Sequence, residues 1–157
     1  YALYKREFPD QLIGTKLAAT DLVELYEILS GAPTLAHFAV EYTLVPAALA
    51  GACGVYSYWV NTLPRWTLES WRLCEHGHWK EATRRQMKLL RWETDFIQRL
   101  RQLGHSHGVI GKARASLAAF LPASGATRAP YYPIDSQLLD ELKIDFENYW
   151  GEELRGE

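Results

Sequence analysis

Lys16 closes a short apolar run, Leu12-Ile13-Gly14-Thr15-Lys16, and the Leu17-Ala18-Ala19 that follows offers it no obvious charge partner. An amine at the carboxyl end of a parallel strand lies on the edge where α/β folds assemble their sites, and removal from water lowers its pKa there. The neutral amine attacks a carbonyl carbon and forms a Schiff base. A solvated surface lysine is the plainer reading of the same residue, because most lysines are exposed.

Other chemistry-bearing residues have less support. His76 and His78, with Cys74 nearby, and separately His105 and His107, have His-x-His spacing. Each pair lies beside glycine in an expected helix–helix loop, where turn histidines are ordinary, so no metal is expected. As a nucleophile, Ser57 lacks the surrounding Gly-x-Ser-x-Gly elbow. Gly51-Ala-Cys-Gly54 lacks the Lys-Ser/Thr ending of a phosphate loop, and Cys74 has no evident base. The six tryptophans are expected in cores or interfaces.

The elements that must position Lys16 follow from periodicity. Residues 1–8 are helical up to the Phe8-Pro9-Asp10 turn. Leu12–Lys16 is a strand, and Asp21 with Glu24 forms a capping box before a helix whose Leu22, Leu25, Tyr26 and Leu29 share a face until Gly31. A second strand at Ala36–Val40 leads into a helix over Leu44–Ala50, and a third strand at Cys53–Val60 into a helix from Pro64 to about Glu75. Three strand–helix units with doubly apolar strands predict a parallel sheet covered by helices. From His78 the chain reads as helical: one long helix to Gly104 with Trp79, Ala82, Leu90, Ile97 and Leu100 in step, one over Val109–Leu121, a loop at 122–133, and a last helix capped by Asp135 with Leu138, Leu139, Leu142 and Phe146 inward.

Composition fits one domain: 157 residues, 48% apolar, 17 basic against 19 acidic side chains, and a formal charge of −2. These values exclude a disordered chain and argue against a polyanion binder. No charged residue occurs from Tyr42 to Pro64, but Pro46, Gly51, Gly54 and Asn61 make that stretch a buried interior rather than a membrane span. Cys53 and Cys74 fit a reducing, cytoplasmic setting. The first residues lack the order of a signal peptide, and a chain starting at Tyr1 reads as a piece of something longer. Residues 72–114 hold ten basic side chains against four acidic ones, a balance of +6, and residues 135–157 hold eight acidic against two basic, a balance of −6. The opposition predicts helices that neutralise each other or a partner subunit.

Ile13-Gly14-Thr15-Lys16, then a helix, then a strand with an acid at Glu41, then Gly51-Ala-Cys-Gly-Val-Tyr-Ser57 and Asn61-Thr-Leu-Pro64, resembles the dihydrodipicolinate synthase and N-acetylneuraminate lyase superfamily. So does Thr127-Arg-Ala-Pro-Tyr131, preceded by a helix around Lys112. The resemblance covers nearly the whole chain and the second half of the family's subunit. It implies an α/β fold: the C-terminal part of a (β/α)8 barrel, strands six to eight, with a helical C-terminal extension. Residues 1–77 are then a partial barrel, and residues 78–157 the last barrel helix and the extension.

The same resemblance implies a Schiff base between Lys16 and a 2-oxo acid such as pyruvate, an aldehyde or related acceptor, no cofactor, and a homo-oligomer, dimer or tetramer. Glu41 is assigned to the acceptor, and Ser57 and Asn61 to the pocket lining. Where the family commonly has a Gly-Asp pair, this chain has Ala39-Val40-Glu41-Tyr42, so the second-substrate pocket is expected to differ. With Tyr58, Trp59 and Asn61, this makes the chain more similar to outlying members, including hydratase-aldolases and sugar-acid dehydratases. The family's proton-shuttling tyrosine and carboxylate-binding Thr pair would precede Tyr1, so the fragment is expected to be inactive without the missing N-terminal half of the barrel. The competing readings are a non-catalytic helical interaction module and a nucleic-acid binder using the basic 72–114 region.

Overall fold

A computed structural model describes residues 1–118, 121 and 125–155. Among them are three strands, β1 (Gly14–Lys16), β2 (Ala36–Val40) and β3 (Gly54–Tyr56), and seven α-helices: α1 (Ala2–Glu7), α2 (Leu22–Gly31), α3 (Leu44–Leu49), α4 (Pro64–Glu75), α5 (Trp79–Gln102), α6 (His107–Ser116) and α7 (Ser136–Leu154). The chain divides into two compact units, Tyr1–Ser57 with Ser70–Met87, and Tyr58–Glu69 with the described residues from Lys88 onward.

In the first unit the sheet is parallel throughout, in the order β1-β2-β3, as the strand–helix alternation predicts. One face is covered: Leu17, Ala39 and Val55 pack with Leu25, Ile28 and Leu29 of α2 and Ala47 of α3. Completely burying a leucine such as Leu25 contributes about 1.5–3 kcal/mol, so this apolar stripe does most to fix α2 on the sheet. The start of α2 is set by Asp21, whose carboxylate accepts the Glu24 amide at 2.9 Å. On the covered face His37 bridges two segments. Its Nε2 donates to the Ala32 carbonyl at 2.8 Å, because a carbonyl can only accept, and its Nδ1 then accepts from the Thr15 hydroxyl at 2.7 Å. A second apolar cluster joins Leu44 and Val45 to Cys74 and Ala82.

The second unit is helical and aromatic. Trp59, Phe146 and Trp150 stack and tilt at centroid separations of 6.2–6.4 Å, with Trp66 edge-on to Trp150 at 5.0 Å. Asp135 caps α7 by accepting from Gln137 N at 2.9 Å, and Leu139, Leu142 and Phe146 are buried as the periodicity predicts. The charge opposition is met partly inside this unit: Arg99 pairs with Glu141 at 2.5 Å and Asp145 at 3.1 Å, and Lys88 with Glu153 at 2.5 Å.

Several sequence expectations shift. The first strand loses Leu12 and Ile13, and the third ends at Tyr56 instead of Val60. Tyr58–Asn61 form a 3-10 turn, because Trp59 is more stable buried among Phe146 and Trp150 than in a strand, and the Leu63 amide bonds back to Trp59 O at 2.7 Å. A second 3-10 turn, Glu41–Thr43, precedes α3. In α5 the inward residue is Leu89, with Leu90 only half-buried, and Trp79 is exposed. The helix expected over Val109–Leu121 runs from His107 to Ser116. Residues 119, 120 and 122–124, at the end of that expected helix and in the loop after it, lie outside the described residues.

Candidate functional site

Register decides which side chains share a face. Lys16, Phe38 and Gly54 are in register across β1, β2 and β3, so all three belong to the same side of the sheet, opposite Thr15 and His37. Two residues beyond that row stand Val40 and Tyr56, the last residues of β2 and β3, about 7 Å further along at roughly 3.3 Å per residue. Lys16 ends β1, Glu41 directly follows β2, and Ser57 directly follows β3. The structure thus brings three of the four sequence-derived candidates to the carboxyl ends of adjacent parallel strands. Asn61 is exposed at the end of the 3-10 turn in the other unit.

Each neighbour of Lys16 has a physical reason to be there. Gly54 leaves room for the Phe38 ring, since a Cβ at position 54 would lie 3.1 Å from two of its carbons. Gly14 lets β1 approach β2, since a Cβ there would be 2.7 Å from the Ala36 carbonyl oxygen. Tyr56, two strands and about 10 Å away from β1, reaches back over β2. Its hydroxyl donates to Leu17 O at 3.0 Å, and its ring lies under the Lys16 amine, 4.2 Å from centroid to Nζ. In the sequence Tyr56 stands inside the Gly51–Ser57 motif without a role of its own, and Phe38 carries no signal by itself. The period of two counted from Lys16 and the register are the signals that find them.

The environment of Lys16 departs from the desolvated amine expected from sequence. Lys16 is exposed, and so is Phe38, at 44%. Three strands give the amine a floor and one aromatic neighbour, and the described residues do not enclose it. Glu41, by contrast, is 1% exposed. Its turn is held by Gln86 of α5, whose Oε1 accepts from Val45 N at 2.9 Å while its Nε2 donates to Tyr42 O at 2.6 Å. That side chain satisfies an otherwise orphaned amide in the first turn of α3. Ser57 is half-buried.

The remaining candidates go elsewhere. His76 Nδ1 donates to Arg72 O at 2.7 Å, and its ring is 6.4 Å from that of His78. His107 Nε2 and the Tyr58 hydroxyl are hydrogen-bonded at 2.8 Å. Among the described residues no three His, Cys, Asp or Glu side chains gather as a metal ion would require. Both cysteines are free thiols, Cys53 exposed and Cys74 buried, and burial followed by the charge of Glu75 pushes the Cys74 thiol above its ordinary pKa. No described helix is long and apolar enough to cross a membrane.

Neither a protein-family profile nor a curated protein matches the sequence. Solved structures do. A dihydrodipicolinate synthase family protein from Coccidioides immitis superposes with a TM-score of 0.74 at 17% identity, over 97% of this chain and 50% of that one. N-acetylneuraminate lyase from Fusobacterium nucleatum gives 0.70 at 22% identity, over 93% and 48%. The 2-keto-3-deoxygluconate aldolase of Sulfolobus solfataricus, as a variant, gives 0.74 at 17% identity, over 96% and 49%. This chain has about half of the dihydrodipicolinate synthase and N-acetylneuraminate lyase fold. The resemblance read from Lys16 and the motifs around it therefore agrees in extent with the superpositions: nearly all of this chain and about half the length of the structures it matches. At these identities the dihydrodipicolinate synthase likeness concerns the course of the backbone.

Proposed function

We propose that this chain is the part of a class I lyase that holds the Schiff-base lysine. The observation that supports it most is the placement of Lys16, Glu41 and Ser57 at the carboxyl ends of three adjacent parallel strands, the edge where barrel enzymes assemble their sites. In this reading β1, β2 and β3 are strands six, seven and eight of a (β/α)8 barrel. Residues 1–77 form that partial barrel, and residues 78–157 the last barrel helix and a helical extension that packs in a homo-oligomer. Strands outside these 157 residues complete the cylinder and enclose the amine, which the three strands alone leave exposed.

The Lys16 nitrogen adds to the keto carbon of a 2-oxo acid, forming the C–N bond. The C–O bond breaks, the oxygen leaves as water, and the nitrogen is left as an iminium that withdraws electrons from the adjacent carbon. Loss of a proton from that carbon gives an enamine, which adds to an aldehyde or related acceptor, and the reverse sequence cleaves the product. Glu41 binds or orients the acceptor, and Ser57 lines the pocket. Pyruvate is the first 2-oxo acid to test, since the Fusobacterium lyase has been solved complexed with it. Two free thiols suit a reducing compartment, and we place the protein in the cytoplasm.

Borohydride added with pyruvate to the folded full-length protein, which carries the strands that complete the barrel, followed by peptide mapping, tests the reading. A pyruvate-dependent mass increase on Lys16, abolished in Lys16→Arg, is the expected result. A folded protein that acquires no label there with any of several 2-oxo acids refutes it and favours a non-catalytic interaction module.

A further inference from the structure

We infer that Tyr56 is the positioning residue of the Lys16 amine, a role that rests on the Schiff-base reading above. Lysine ends in a compact charge on a flexible four-carbon stem, so an exposed Lys16 has many places to put its nitrogen. Two contacts remove that freedom. The face of the Tyr56 ring attracts the nitrogen, 4.2 Å from the ring centroid, and the hydroxyl at the far end of the same ring is tied to Leu17 O at 3.0 Å. The ring is therefore anchored to the backbone immediately after the lysine it holds. Its own backbone comes from β3, two residues beyond the row shared by Lys16, Phe38 and Gly54.

The chemistry of the proposed cycle suits such a partner. The nitrogen is a cation before reaction, as an ammonium, and again after water has left, as an iminium. An aromatic face attracts both, whereas a carboxylate partner would also accept a hydrogen bond from the ammonium and compete with attack on the carbonyl. The ring holds the nitrogen on the Phe38 side of the sheet in both charged states and releases it in the neutral states between them. Sequence spacing alone does not reveal this pairing, because 40 residues separate the two side chains.

Reductive methylation with formaldehyde and cyanoborohydride reads the contact without any 2-oxo acid. It requires an amine free to leave the ring face and meet the aldehyde, and the exposed Lys80 serves as internal reference. In Tyr56→Leu the Lys16 rate relative to Lys80 rises about twofold to fivefold, the range for an exposed cation–π pair. Tyr56→Phe keeps the ring face but loses the tie to Leu17 O, so its ratio stays well below that of Tyr56→Leu. Such rescue by phenylalanine separates the ring's role from general loosening, and equal circular dichroism of the three proteins confirms that they fold alike. An unchanged ratio in Tyr56→Leu, or an equal rise in both variants, overturns the inference. The borohydride experiment with pyruvate on the wild-type protein is read separately. If Lys16 takes no pyruvate label while the methylation contrast persists, the Schiff-base reading falls and the role of Tyr56 in that chemistry falls with it, leaving a measured contact.

Discussion

The pairing of Arg114 with Glu93 inside the second unit gives a quantitative test. Both side chains are almost completely removed from water, at 2% and 1% exposure, and Arg114 Nη2 donates to Glu93 Oε1. Arg114 Nε and Nη1 have no hydrogen-bond partner among the described residues. Around the guanidinium are the rings of Tyr58, Trp59 and Phe96, at 5.0, 5.4 and 5.8 Å, which attract a cation but cannot accept its hydrogens as a carboxylate does. Glu93→Gln keeps the shape and removes the countercharge, leaving a buried cation uncompensated. The expected loss is about 3–5 kcal/mol, a large part of the roughly 5–15 kcal/mol that holds an ordinary domain together. For a chain of this size the thermal midpoint falls by about 6–20 °C. Urea and thermal unfolding, followed by tryptophan fluorescence and circular dichroism, measure it. The double variant Glu93→Leu with Arg114→Met removes both charges and recovers most of the loss, since an apolar pair of similar volume is often neutral. A loss below about 1 kcal/mol in Glu93→Gln, or a double variant worse than the single one, refutes the reasoning.

Three further outcomes follow from the first unit. Gly14→Ala places a Cβ against the Ala36 carbonyl and forces β1 off β2, with an expected cost of about 1–3 kcal/mol in urea unfolding. Gly31→Ala, whose new Cβ meets nothing within 4 Å, is unchanged or slightly more stable. The raised Cys74 pKa means that at any given alkaline pH less of it is thiolate than of an ordinary cysteine. Iodoacetamide titrated upward in pH therefore labels the exposed Cys53 first and Cys74 only at higher pH, as peptide mass mapping resolves, and equal onset in the folded protein contradicts the burial argument.

Where the sequence is locally consistent it is legible. Asp21 and Asp135 announce their helices, Ala36–Val40 is the strand its composition predicts, and Pro64–Glu75 has both bounds as read. The stretch after Tyr56 is not legible in this way. Tyr-Ser-Tyr-Trp-Val has strong β propensity, and the burial of Trp59 in an aromatic cluster outweighs it. The same limit applies at the candidate site. Lys16 is found from its place at a strand end, which local pattern encodes, whereas Glu41 and Ser57 enter through the family resemblance. The ring under Lys16 depends on register between strands 40 residues apart, and the amine's exposure depends on what surrounds three strands, which no local pattern states.

The imidazole of His37 has a consequence for chemistry on the other side of the sheet. It fastens the segment before β2 to the hydroxyl of Thr15, one residue from the nucleophile candidate. A slip of β1 by a single position would break that fastening and turn every side chain of the strand over, sending the lysine under the helices and the threonine into the open. A buried ring thus acts as a ratchet pawl, selecting the side of the sheet on which the Lys16 amine lies.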